Sequence, residues 1–428
     1  MEGTWYKLDN AAKIYPAIRE ENWAPIFRID AVLKEEINPE VLQSALIMTY
    51  KRFPTFAVNI MKGFFWYYFE PNESEPRVRL EDTYPTSPFS DRKDGGYLFR
   101  VLYYKHRISL EIFHSITDGF GATTFLKTLL FNYFTLLNGR EPIDNPFDLE
   151  KYEILYHKDL PTPEETADSF QYYALTNNVM SLKENSAFKI PGTRIKKNTL
   201  KALHALVNVK DLQRLSKEFD ATITEFLTAL FIYAILDAKV YSSSERKPIK
   251  ISVPINLRKR FPSKTLRNFS SYINVEFTPE GSIEMITLKD ICKVVRTQIR
   301  EGVDINTLRS KFSGNVQTEK NIAMRIAPLL LKNIVLKTGF SLFGERITTS
   351  TLSNVGNIQL PKGMADMVER FDFLIGAPKQ NAFNCAVISF KDIISISFSS
   401  IIIENTVPKK FVDFLVGRGL KVNIEANY

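Results

Sequence analysis

A change of period at residues 107–137 constrains this chain most. Arg107-Ile108-Ser109-Leu110-Glu111-Ile112-Phe113 alternates along an apolar run, the period-two mark of a strand. Residues 121–137 then read as a helix, which stops at the C-cap signal Asn138-Gly139. The short connection between them therefore lies on a strand-to-helix turn, where a side chain can point into a cleft. That connection runs from His114 through Asp118 to Gly119 and spells H-x-x-x-D-G. The chain has only four histidines, and chance places Asp and Gly at these offsets in about one chain in a hundred of such composition. A histidine titrates near neutral pH, so His114 is the candidate general base. Gly119 allows close backbone packing or a positive φ after the loop.

The same interleaving of strands and helices runs through the rest of the chain. Residues 24–33 read as a strand, and 39–52 as an amphipathic helix with Val41, Leu42, Ala45, Leu46 and Tyr50 on one face. Residues 64–69 are aromatic and β-favouring, and 98–104 form the strand before the histidine strand. Residues 140–196 break the rhythm with Pro142, Pro146, Pro161, Pro163 and Pro191, and a polar helix is expected between them at 163–183. The second half restarts with strand 199–209, a helix to residue 219, and a strongly apolar helix at 222–238 that Thr222 or Thr224 can cap. Strands follow at 249–254 and 272–277, helices at 288–301 and 318–336, strands at 347–354, 384–390 and 393–403, and a helix at 408–417. The expected organisation is an N-terminal subdomain at 1–150, a connection at 151–196 and a C-terminal subdomain at 197–428. Both halves mix helices and strands in similar order, without a repeat in the residues themselves.

Composition narrows the function. At 428 residues, with 44% hydrophobic and 24% charged residues, the chain can bury two cores. Met1 to Asn10 has no apolar core segment, and the apolar run at 223–236 is too short to span a bilayer, so a cytoplasmic protein is expected. Two cysteines, Cys292 and Cys385, are too few for a disulfide framework and are not spaced as a metal site. No Gly-rich phosphate loop or nucleic-acid module is present. The net charge of +8 fits attraction of a polyanion such as coenzyme A, or at most peripheral contact with an anionic membrane.

The His114 motif resembles the H-x-x-x-D-G signature of the chloramphenicol-acetyltransferase-like, acyl-CoA-dependent acyltransferases. Other segments agree in order. Trp5-Tyr6-Lys7-Leu8-Asp9 is similar to the short aromatic opening of the bacterial alcohol-acetyltransferase-like branch, and Tyr97-Leu98-Phe99-Arg100-Val101 to its "PLFR" run. Pro254-Ile255-Asn256-Leu257-Arg258 resembles "P-x-N-L-R", Arg267-Asn268-Phe269 the "G-N" after it with Arg for Gly, and Leu352-Ser353-Asn354-Val355-Gly356 the late "S-N-x-G" strand. Phe113 stands where condensation domains carry a second histidine, and no D-F-G-W-G string of the plant BAHD enzymes occurs; Phe371 to Gly376 is only a partial look-alike. The resemblance implies an α/β (α+β) fold of two sandwich subdomains with the active-site tunnel between them. It implies acyl-CoA as co-substrate with no permanently bound cofactor and no metal.

Acyl transfer to an alcohol needs a base, an oxyanion donor and a site that excludes water. His114 fills the first role. The resemblance implies that Asp118 points away from substrate and pairs with an arginine, for which Arg258 matches and Arg100 competes. Thr348, Thr349, Ser350, Thr351 and Ser353 form a hydroxyl-rich strand, and the resemblance points to Ser353 and Asn354 as the donors. The basic runs Arg258-Lys259-Arg260, Lys196-Lys197 and Lys409-Lys410 include the candidates for coenzyme phosphates. The leading expectation is an acyl-CoA-dependent O-acyltransferase acting on a small alcohol or amine. A stand-alone condensation-type domain fed by an acyl carrier protein and a non-catalytic relative are the alternatives.

Overall fold

The computed structural model describes residues 5–428 except 22, 144–145, 177–183, 242–244, 246 and 379. Two large sheets organise it. The first has five strands in the order Val368–Ile375, Ile26–Leu33, Arg107–Phe113, Phe99–Tyr104 and Arg79–Leu80. The second has seven, in the order Ser270–Phe277, Ile249–Asn256, Ser350–Ile358, Phe383–Phe390, Ile393–Ser400, Lys201–Asn208 and Val422–Ala426. A three-stranded sheet of Tyr6–Lys7, Tyr67–Pro71 and Val58–Lys62 flanks them.

The mixed α/β character follows the periods in the sequence. Ile108, Leu110 and Ile112 point to one face of the first sheet and join a core with Phe27 and Ile29, while Ser109 and Glu111 point to the other. Against that core lies Gly119–Asn138, buried almost continuously from Gly121 to Phe134. Asp118 caps its N-terminus and Gly139 ends it in the left-handed conformation, φ 67°. In the second half Ile223–Asp237 is the buried helix, capped by Thr222 and Glu225 in a reciprocal box.

The halves are not independent. Strand Val368–Ile375, from the second half of the chain, pairs antiparallel with Ile26–Leu33 and closes the first sheet. Its Phe371 and Phe373 belong to the first core, as do Leu266, Ile358 and Ile388. The part of the chain expected as the C-terminal subdomain thus contributes a strand to the N-terminal sheet.

Several local expectations change. Only Pro163–Thr166 and Ser169–Tyr173 are helical where one helix was expected at 163–183; its end, 177–183, lies outside the described residues. Ala167 is extended and Asp168 starts a new cap, while Glu165 turns inward to Arg52 at 2.6 and 2.8 Å. The expected helix 318–336 is three helices, Ile305–Lys320, Ile322–Ile326 and Leu329–Phe340. Asn321 breaks it by capping Met324, and Pro328 forces the residue before it out of helix. Phe64 and Phe65 do not lie on a strand but at a hairpin tip; their strand begins at Tyr67. Strands Val368–Ile375 and Val422–Ala426 were not foreseen.

Candidate active site

His114 directly follows strand Arg107–Phe113, its backbone N–H donating to Pro25 O at 2.9 Å. Alternation keeps its ring on the core-facing side with Leu110 and Ile112, rather than on the opposite side with Glu111. The ring stacks on Tyr15 at 4.7 Å between centroids and meets Phe27 edge-on at 5.0 Å. Nδ1 lies 3.0 Å from Oδ1 of Asn268, whose Nδ2 donates to the buried carboxylate of Asp9 at 3.1 Å. The amide is oriented by Asp9, so its oxygen faces the ring and Nδ1 carries the proton. Nε2 is then the basic atom. Burial lowers the pKa of His114 despite Asp118 and Asn268 acting the other way. The imidazole is therefore neutral at physiological pH.

Asp118 lies outside this hydrogen-bond line and holds the loop. Oδ1 accepts from Phe120 N at 3.1 Å and Gly121 N at 3.4 Å at the start of the long helix. Oδ2 accepts from Arg258 at 2.8 Å and from Phe269 N at 2.8 Å. Arg258 also donates to the carbonyls of Thr265 at 2.9 Å and Arg267 at 2.6 Å, and its guanidinium lies over the Phe120 ring at 4.5 Å. The pair thus ties the H-x-x-x-D-G loop to residues 265–269, the segment that presents Asn268 to His114. Arg100 is on the opposite face of the sheet, bonded to Glu111 at 2.7 Å. Gly119 allows a close approach rather than a positive φ: a Cβ there would stand 3.0 Å from Val355, which would have to give way by a few tenths of an ångström.

The second sheet supplies the facing wall. Ser350–Ile358 pairs with Ile249–Asn256 only at Ser350↔Ile251 and Thr351↔Ser252, and beyond them the parallel strands part. A cavity of about 880 Å³ reaches into that split, lined by His114, Asp118 and Gly119 on one side and by Asn256, Ser353 and Asn354 on the other. A bulge between Asn354 and Gly356, with Gly356 at φ 91°, breaks the register beyond Asn354, and Ser353, Asn354, Val355 and Gly356 all line the cavity despite their alternating parity. Asn354 is already engaged: Nδ2 donates to Thr224 Oγ1 at 2.9 Å and Oδ1 accepts from Gly356 N at 2.8 Å. The hydroxyl of Ser353 has no hydrogen-bond partner among the described residues. Thr348, Thr349 and Ser350 are taken up by Gly344 O, Lys250 N and Phe383 O.

Among the basic runs, Lys259 and Arg260 are exposed at the cavity, whereas Lys409 and Lys410 pair with Asp413 and Asp237 at 2.9 and 3.0 Å. Among the described residues no cluster of His, Cys, Asp and Glu is placed to hold a metal. Cys292 and Cys385 are buried and unpaired, and burial pushes the Cys292 thiol up to about 12, so it is no nucleophile. His106, His157 and His204 do not line this cavity. Asn268 and Asp9 were missed as partners of the histidine, although both sit in segments that the resemblance singles out; the signal was present, but not its connection.

No family model matches the chain, and no curated relative matches it in sequence. Solved structures do match. The trichothecene 15-O-acetyltransferase TRI3 from Fusarium sporotrichioides is similar with TM-score 0.62 and 12% identity, over 97% of this chain and 94% of that one. TRI101 of F. sporotrichioides, solved with coenzyme A and T-2, gives TM-score 0.59 at 13% identity over 98% and 99%. The first condensation domain of the calcium-dependent antibiotic synthetase, with a substrate analogue, gives 0.58 at 13% identity over 97% and 96%. The chain therefore has, over nearly its whole length, the fold that these two acetyltransferases and the condensation domain share.

Proposed function

We propose that this protein is an acyl-CoA-dependent O-acyltransferase with His114 as general base. The observation that carries the reading is an imidazole fixed at Nδ1 by Asn268, whose site opens on a cavity between two sheets. In this reading Nε2 takes the proton of an acceptor hydroxyl as its oxygen attacks the thioester carbonyl. The tetrahedral oxyanion forms against the wall of the second sheet, where the Ser353 hydroxyl is an available donor. When the intermediate collapses, His114 returns the proton to the leaving thiolate, giving ester and free coenzyme A. Lys259 and Arg260 supply positive charge for the coenzyme phosphates. The similarity to TRI101 with coenzyme A supports this assignment of the donor.

The test is thiol release from acetyl-CoA with a panel of alcohols, amines and acyl-carrier thioesters. Release with an alcohol is expected. Turnover only from a carrier thioester would move the protein to the condensation-type reading, which the condensation-domain neighbours support equally by fold. No turnover with any donor would leave a binding role.

A further inference from the structure

The helices Ile322–Ile326 and Leu329–Phe340 carry large aliphatic side chains that the fold does not cover. Leu330 is 79% exposed, Leu331 56%, Ile334 62% and Val335 58%. Their spacing is that of one helix face. Ile322 at 75% and Ile326 at 66% continue the apolar surface on the preceding helix. The tip of the hairpin between Val58–Lys62 and Tyr67–Pro71 adds Phe64 at 72% and Phe65 at 43%. Leu329 N donates to Phe64 O at 2.8 Å, Lys332 Nζ donates to Phe65 O at 2.8 Å and stands 3.5 Å over the Trp66 ring, and Asn333 donates to Tyr67 at 3.0 Å. Helix and hairpin tip are thus pinned into one unit. An apolar surface of this kind on a folded chain marks a binding face.

Charge selects the occupant. Residues 320–344 contain Lys320, Arg325, Lys332 and Lys337 and no acidic residue, and residues 58–69 contain Lys62 and no acidic residue. Lys320, Arg325, Lys337 and Lys62 are exposed. Of the bordering acids, Glu319 is held by Lys13, and Glu70 and Glu345 are only half-buried neighbours at the ends of these stretches. Exposed aliphatic and aromatic side chains among cations, without acids, match the headgroup region of an anionic bilayer. A protein partner of ordinary mixed charge would not call for the exclusion of acids.

Position links this face to the cavity. Helix Leu329–Phe340 packs on helix Ile14–Ile18, which carries the Tyr15 ring stacked on His114. Its last residue, Phe340, stacks with Trp23 at 6.3 Å, and both line the cavity.

We infer that the face formed by Leu329–Phe340, Ile322–Ile326 and the Phe64–Phe65 tip docks on an anionic lipid surface, placing the cavity beside the bilayer so that a lipophilic acceptor can enter from it. The docking stands by itself; the acceptor class rests on the acyltransferase reading. The experiment is sedimentation of the full chain with phosphatidylcholine vesicles, with and without phosphatidylserine, at low and high salt. The wild type is expected to bind the phosphatidylserine vesicles and to bind less as salt rises. The variant L330S/I334S/V335S, altered only at exposed positions outside the cavity, should bind at least about tenfold more weakly while thiol release with a water-soluble alcohol is unchanged. R325E/K337E should lose the phosphatidylserine preference. No binding by the wild type, or equal binding by the triple variant, would overturn the inference. So would a wild-type dimer that the triple variant makes monomeric without any vesicle binding, which would give the face to a second copy. Vesicle binding without thiol release would uphold docking and sink the acyltransferase reading instead.

Discussion

The first sheet buries two charged clusters, one at the end of its strands and one on the face away from the long helix. At the end, Asp118 and Arg258 pair across the two halves of the chain at 2.8 Å. On the face, Arg28 binds Asp30 at 2.7 Å, Glu81 at 2.6 Å and Ser109 at 2.7 Å, and Glu111 joins Arg28 to Arg100. Both are withdrawn from solvent, and both satisfy their charges with hydrogen bonds. They differ in what else they hold. Arg258 fixes the carbonyls of 265 and 267, and Asp118 fixes the N–H of Phe269, so the segment with Asn268 is set against His114. The facial cluster holds strands Ile26–Leu33, Phe99–Tyr104 and Arg107–Phe113 in register and does not border the cavity of His114. A buried ion pair therefore does not mark a site; the groups that its remaining hydrogen bonds position do.

The largest effect is expected where the two regions differ most. His114→Ala should lower turnover by roughly 10²–10⁴-fold, the range of a general base, with the fold retained. His204→Ala, beside the facial cluster and bonded to Ser397 at 2.8 Å, should keep near-normal turnover. Equal losses in steady-state assays would dissolve the distinction between the regions.

Next come the two clusters themselves. Asp118→Ala leaves Arg258 buried without its carboxylate, a loss of about 3–5 kcal/mol in chemical denaturation, whereas Glu111→Ala leaves Arg28 with Asp30 and Glu81 and Arg100 with Asp94 at 3.8 Å, and should cost less. Only Asp118→Ala should also depress turnover per folded molecule, and Asp118→Asn should be milder in both. A double-mutant cycle of Asp118→Ala with Arg258→Ala should show strong coupling; additive losses would mean that the pair does not hold the loop.

Ser353→Ala should raise the barrier by about 2.7–4 kcal/mol if its hydroxyl supports the oxyanion, seen as lower kcat with little change in unfolding midpoint. Asn354→Ala removes an amide already spent on Thr224, so it should cost stability more than turnover. The reverse pattern would exchange the two roles.

The smallest effect is in the pH profile. Burial lowers the His114 pKa, so the acid limb of kcat/KM should fall below the ordinary histidine value of about 6.5. The unfolded chain binds the proton more readily, so this group's contribution to stability is present above the unfolded pKa and is lost as pH falls through the folded one. Asn268→Ala removes the acceptor that favours the charged ring and should move the acid limb lower still. A limb that stays put would detach Asn268 from the histidine.

The sequence alone located the candidate base because period changes are local. The alternation of 107–113, the capping Asp118 and the Gly139 stop are fixed by backbone sterics and hydrogen bonding within a few residues. The same holds for Pro39–Arg52 and for the Thr222 cap of Ile223–Asp237. The pairing of Asp118 with Arg258 was legible only through resemblance, since nothing within the sequence favours a partner 140 residues away over Arg100. Tertiary structure decided the rest. The link from Asp9 through Asn268 to His114 joins three segments with no shared periodicity. Strand Val368–Ile375 enters the first sheet because Phe371 and Phe373 bury in its core, a choice that its own pattern leaves open between two sheets. The cavity opens where two parallel strands part after Thr351 and Ser252, beside a bulge that follows Asn354. Strand propensity is read residue by residue, whereas the divergence of two strands is set by everything packed around them.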